Sequence, residues 1–252
     1  MGWHIRDPRV AEVGLSLPML CEILFLSGFF LFTGLAGLPP NNVLVLLGRS
    51  FLQSIFWAVF CVAWHRHILL GENRRFGFRF GKFEARYLMF FWLIPIPSFL
   101  ILLIPFQFLI AVLRYAPSRE LGLIAVLIFT TVLFWCLVPI AMRFLLVFPS
   151  AAVEEECRLT RSWTRTRGMF WWLFSTLAIA LIPLTILKIL VVAVFFLMGF
   201  SIAELDAGIL ASPEAAAYST VRVVFRYLAA AVAVTALSLA FRERTEGSTG
   251  VP

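Results

Sequence analysis

The stretch MFWWLFSTLAIALIPLTILKILVVAVFFLMGF, residues 169–200, decides the fold class. It runs for 32 residues and carries one charge, Lys188. A helix of that length is about 48 Å long at 1.5 Å per residue. About 20 apolar residues suffice to cross the hydrocarbon core of a bilayer. The run is too long for one straight crossing and too short for two joined by a turn. It predicts one long, tilted helix with a bend near Pro183.

Five further apolar runs of membrane length occupy roughly 15–38, 43–64, 88–113, 121–148 and 216–241. All are continuous rather than alternating at period two, which excludes a transmembrane β-barrel. The 252 residues are 62% hydrophobic and 14% charged, against about 45–50% and 25% in soluble domains. Such a composition excludes a soluble globular protein, a disordered chain and a disulfide scaffold. The expected fold is all-α: one integral membrane helical bundle of six transmembrane helices over residues 1–252. The third run contains Pro95, Pro97 and Pro105, so a kinked or partly unwound span is expected there. The first run exceeds the roughly 7–15 residues of a signal-peptide core and reads as an uncleaved span.

Orientation follows from the basic residues. Of 21 Lys and Arg, fourteen lie in the N-terminus, the second and fourth loops and the C-terminal tail. Two, Arg114 and Arg119, lie in the odd-numbered loops, and five lie inside the apolar runs. Basic loops stay on the cytosolic side, so both termini are expected inside. Trp64, Trp163, Trp171 and Trp172 then fall near the cytosolic interface, where amphipathic rings are favoured. Trp57, Trp92 and Trp135 lie deeper and read as packing residues. Net charge is +7; in so apolar a chain it is a topology signal, and nucleic acid is not an expected partner.

The second loop alternates basic and aromatic residues over Arg75–Phe83. Two readings of it stay open. One is a segment on the inner leaflet, with Arg74, Arg75, Arg79 and Lys82 on anionic lipid phosphates. The other is a topology determinant without a specific partner. The fourth loop carries Glu154–Glu156, Arg158, Arg161, Arg165 and Arg167, and Arg161 and Arg165 are candidates for the same leaflet contact. Ser150 is placed to cap a short interfacial helix with the acids in its early turns, and Gly168 to stop it. Each loop follows an arginine and an aliphatic stretch, Arg66–Leu70 or Arg143–Val147. Each then leads into an aromatic span start, so a repeated hairpin is one reading.

The run from Arg143-Phe144 through Pro149, Glu154–Glu156, Ser162-Trp163, Thr166 and Gly168 resembles a recurrent pattern of bacterial six-span membrane proteins. Those proteins are similar to the membrane domain attached to some glycerophosphodiester phosphodiesterases. His65-Arg66, Leu69-Leu70 and Gly71-Glu72 are similar to the same group. The resemblance implies a bacterial inner-membrane location and the six-span topology. The phosphodiesterase barrel and its metal-binding carboxylates have no counterpart here, so it implies no hydrolase activity.

Charges within the spans are the remaining functional clue, because a central Arg or Lys costs about 2.5–3.5 kcal/mol on insertion scales. Glu22 and Arg143 have similar estimated depths, which predicts a structural ion pair between spans one and four. Arg49, Lys188, Arg222 and Arg226 fall toward the outer half. One reading makes them an outward-facing pocket for an anionic group such as a lipid phosphate. The other pairs them with Glu204, Asp206 or Glu214, or lets them snorkel.

Catalytic chemistry is not indicated. His65 and His67, two positions apart, diverge on a helix and make a poor metal pair. The four cysteines, Cys21, Cys61, Cys136 and Cys157, show no CxxC spacing. No metalloprotease, P-loop, dinucleotide or nucleophile-elbow pattern occurs, so neither metal nor cofactor is expected. The leading expectation is a non-enzymatic multi-pass inner-membrane protein. It would bind anionic lipid or a protein partner, a second copy included, through basic cytosolic loops and buried arginines. The alternative is a small transporter or channel for an anionic or lipid-like solute, using the proline-broken third span and Lys188, Arg222 and Arg226.

Overall fold

In the computed structural model, the described residues are 21–25, 43–72, 80–94, 107, 118–154, 157–200 and 213–246. Most of them are helical, and no strand occurs among them. Residues 21–25 form a helical segment. Seven helices follow: α1 Val43–Leu70, α2 Lys82–Leu93, α3 Arg119–Phe144, α4 Val147–Val153, α5 Leu159–Arg165, α6 Phe170–Leu197 and α7 Pro213–Glu246. Among the described residues, four helical stretches are long and apolar enough to cross a membrane: Leu47–Leu70, Glu120–Val153, Phe170–Leu197 and Pro213–Thr245.

Local chemistry sets several helix ends. Gly71, at φ +66°, closes α1 with its N–H on the His67 carbonyl at 3.1 Å; glycine suits that left-handed position. Glu84 accepts the Gly81 N–H at 3.0 Å and so caps the start of α2 from within. Ser118 caps α3 by accepting the Leu121 N–H at 3.3 Å. Pro183 lies inside α6, as the sequence requires of a single long helix.

Side-chain contacts give the relative directions. Ser54 meets Trp92 and His65 meets Tyr87, so α2 runs against α1. Phe60 packs on Tyr227 and His65 bonds Ser238, so α7 runs parallel to α1. Phe195 packs on Tyr218 while Leu173 and Leu177 join Leu237 and Phe241 in one cluster, so α6 runs against α7. α3 ends where α6 begins, with Trp135 on Trp171 and Phe174. Hence α1, α3 and α7 run toward one end of the molecule, and α2 and α6 run away from it. That end holds α4 and α5, and is called the α4 end below.

The main core joins Ala58, Phe60, Cys61 and Val62 of α1, Tyr87 and Leu88 of α2, Ala152 of α4, and Val223, Tyr227, Ala230, Ala231 and Val234 of α7. Small residues on α7 let the helices approach closely, as membrane packing favours. α3 and α6 lie at the margin. Ile179 is 71% and Leu197 84% exposed. So broad an apolar surface is costly in water and suited to lipid.

Several boundaries differ from the sequence reading. The stretch 65–70 belongs to α1 rather than to a loop. The apolar run 121–148 is broken at Leu145-Leu146, after which α4 folds separately. α4 ends at Val153, so Ser150 sits inside it and does not cap a helix containing Glu154; instead the Glu154 N–H caps α4 by bonding the Ser150 carbonyl at 2.8 Å. The expected short helix before span five is α5. Gly168, at φ +78°, turns the chain between α5 and α6. Pro95, Pro97 and Pro105 lie outside the described residues, as do Glu155, Glu156, Glu204 and Asp206.

Candidate functional site

The densest polar arrangement surrounds the C-terminus of α4. Val147, Pro149, Ser150, Ala151 and Ala152 are buried. Pro149 falls in the first turn, where its missing N–H leaves no hydrogen bond unmade. The last carbonyls of a helix have no partner within it and carry partial negative charge. Here arginines supply the partners. Arg66 of α1 donates from Nη1 to the Ala152 carbonyl at 2.9 Å. Arg86 of α2 donates to the Glu154 carbonyl at 2.6 Å. Arg165 of α5 donates twice to Glu154 Oε1, both at 3.0 Å, and Ser150 donates to the other Glu154 oxygen. Arg66 also holds the Glu72 carboxylate through two nitrogens and lies 4.6 Å over the Phe83 ring. Three arginines from three helices thereby clamp one buried helix end.

A second latch closes α3. The Arg143 carbonyl accepts from Ser162 Oγ at 3.0 Å and Thr166 Oγ1 at 3.1 Å. The Arg143 guanidinium lies 4.4 Å over Trp163. Cys157 donates to the Val147 carbonyl, and burial pushes its thiol above the usual range.

These contacts correct the predicted Glu22–Arg143 pair. Glu22 is fully buried and accepts from Arg226 at 2.6 Å and from Gln53; Tyr227 interacts with the same carboxylate. Arg143 lies at the α4 end with Trp163. The depth estimate failed because Glu22 is level with Gln53, about 25 Å along α1 from Leu70 at 1.5 Å per residue. Arg226 thus meets an internal acid, whereas Lys188 is exposed on α6 and Arg49 and Arg222 are half-buried.

Among the predicted leaflet contacts, Arg74, Arg75 and Arg79 lie outside the described residues. Lys82 and Arg161 are exposed, and Lys82 lies over Phe83. Arg165 is taken by Glu154. Arg167 is exposed beside them, as are Trp163 at 40%, Trp171 at 65% and Trp172 at 42%. Trp135, expected as a packing residue, is half-exposed although it contacts two rings.

His65 is fully buried. Ser238 donates its only hydroxyl proton to the Val234 carbonyl at 2.8 Å, so His65 Nδ1 must be the donor across the 2.7 Å contact with Ser238. The histidine is thus a packing residue, tied to α7. No group of three His, Cys, Asp or Glu able to hold a metal occurs among the described residues.

The sequence reading missed the roles of Arg66, Arg86 and Ser238. No family model, curated protein or solved structure matches the chain.

Proposed function

We propose that the chain is a non-enzymatic, six-span bacterial inner-membrane protein with both termini in the cytosol, and that its α4 end binds anionic lipid of the cytosolic leaflet. One observation carries this reading. Arg66, Arg86 and Arg165 are consumed by the clamp, while Arg161 and Arg167 remain exposed beside the exposed rings of Trp163, Trp171 and Trp172. Tryptophan favours the glycerol region, and nearby arginines then reach lipid phosphates, at about 1 kcal/mol each on an anionic leaflet. The clamp fixes the backbone that carries these arginines, so binding orders side chains rather than a whole loop.

Native mass spectrometry of the protein extracted from mixed phosphatidylglycerol–phosphatidylcholine bilayers tests this. The expected result is enrichment of phosphatidylglycerol adducts, lowered in an Arg161→Gln/Arg167→Gln variant. Equal retention of both lipids by the unaltered protein overturns the reading.

A further inference from the structure

Four of the cations inside the apolar runs fall within about one helical turn of depth. α1 and α7 are parallel, with Gln53 and Arg226 meeting on Glu22. Arg49 lies one turn before Gln53 and Arg222 one turn before Arg226, so those two are level with each other. α6 and α7 are antiparallel, with Phe195 on Tyr218 at 5.6 Å and Met169 against Arg244. That register sets Lys188 level with Phe225 and Arg226. Three helices therefore carry one cationic layer.

The same register sets Trp171 level with Arg242, at the α4 end. Between the two levels no Asp, Glu, Lys or Arg occurs in residues 50–65, 170–187 or 227–241. In each helix this interval is about 25 Å at 1.5 Å per residue. The hydrocarbon core is about 30 Å thick, and outward-reaching Arg and Lys side chains supply the difference. Inside the slab Ser54, Trp64, Thr235 and Ser238 bond one another or the helix backbone, and His65 bonds Ser238 through Nδ1 while its buried Nε2 has no hydrogen-bond partner; most polar side chains there are thus satisfied within the protein, as a layer poor in water favours. At the edge, Glu22 neutralises Arg226, and Lys188 stands exposed at the protein's surface.

We propose that the layer of Arg49, Lys188, Arg222 and Arg226 marks the second membrane boundary, opposite the α4 end, and that its members other than Arg226, which Glu22 neutralises, bind phosphate groups of phospholipids in that leaflet. On this proposal the layer lies at a headgroup level. The proposal rests on the membrane reading but not on lipid selectivity at the α4 end.

Depth-dependent fluorescence quenching tests it with Lys188 intact. Bimane is attached singly through Ile179→Cys, Leu187→Cys or Leu197→Cys, in a chain carrying Cys21→Ser and Cys136→Ser and reconstituted in bilayers. Cys61 is buried and Cys157 bonded, so both are poor labelling sites. Quenchers on mid-chain carbons are expected to act most on position 179, and headgroup quenchers most on 187, with 197 open to aqueous iodide. Strongest mid-chain quenching at 187 overturns the boundary. Where the cysteine background fails to fold, the native cysteines are kept and phospholipid adducts of Lys188→Gln/Arg222→Gln are counted; fewer adducts are expected, and an unchanged number overturns the phosphate contact. Displacement of those adducts from the unaltered protein by inorganic phosphate overturns the assignment to lipid. The Arg161→Gln/Arg167→Gln variant should keep the quenching pattern, which separates this proposal from selectivity at the α4 end.

Discussion

Arg66 Nη1 donates to the carbonyl of Ala152 at 2.9 Å, across 86 positions of sequence. The same guanidinium holds Glu72 through two nitrogens and covers Phe83. A planar fork makes these contacts together; an ammonium cannot. Arg66→Lys should therefore lose most of what Arg66→Ala loses, about 2–3 kcal/mol at 1.5–3 kcal/mol for hydrogen bonds to charged groups. Thermal unfolding of both variants in detergent checks this. Full stability in Arg66→Lys would show that charge alone suffices.

Glu22 and Arg226 should behave as a coupled pair. Removing one partner of a buried pair leaves the other uncompensated, at about 3–5 kcal/mol. The partial exposure of Arg226, 27%, lowers the expected cost of Glu22→Gln toward the bottom of that range. A Glu22→Gln/Arg226→Gln double variant should lose less than the sum of the singles. Additive losses in denaturant titrations would separate the two residues.

Two glycines should respond in opposite directions. Gly168, at φ +78°, has nothing within 4 Å of an added Cβ, so Gly168→Ala meets only the conformational penalty, about 1–2 kcal/mol. Gly48 is helical and equally open, so Gly48→Ala should stabilise by up to about 1 kcal/mol. Melting temperatures of the two variants check the contrast, and a stabilising Gly168→Ala would contradict the turn.

Cys157 should label slowly. Burial holds its thiol above the usual value of 9.0, which lowers the reactive thiolate fraction near neutral pH. Folding therefore favours the neutral form, and that contribution is lost as pH rises past the ordinary thiol value. Alkylation of the folded chain should be slower than in denaturing detergent, with the gap closing as pH rises. Equal rates at neutral pH would refute the burial effect.

Four long helices were legible in the sequence because their apolar runs are long and carry few charges. Their ends were less so. α1 continues through His65-Arg66-His67 because Arg66 is bonded to Glu72 and Ala152, partners that hydropathy does not register. The break at Leu145-Leu146 is likewise silent, since α4 is as apolar as the helix before it. The site was legible as residues but not as pairs. Glu22 has two candidate arginines by charge, and only the parallel approach of α1 and α7 selects Arg226. The motif residues around Arg66 and Glu154 stand far apart in sequence, and only the burial of α4 explains why both loops need arginine.

The parallel pairing of α1 with α7 also bears on biosynthesis. Partners of Trp64 and His65 are Thr235 and Ser238, more than 170 residues later in synthesis. At about 5–20 residues per second, the early helices wait on the order of ten seconds with these side chains unpaired before α7 arrives. Truncation before α7 should leave an open intermediate that an insertase or quality-control protease can engage, because Trp64 and His65 then lack Thr235 and Ser238.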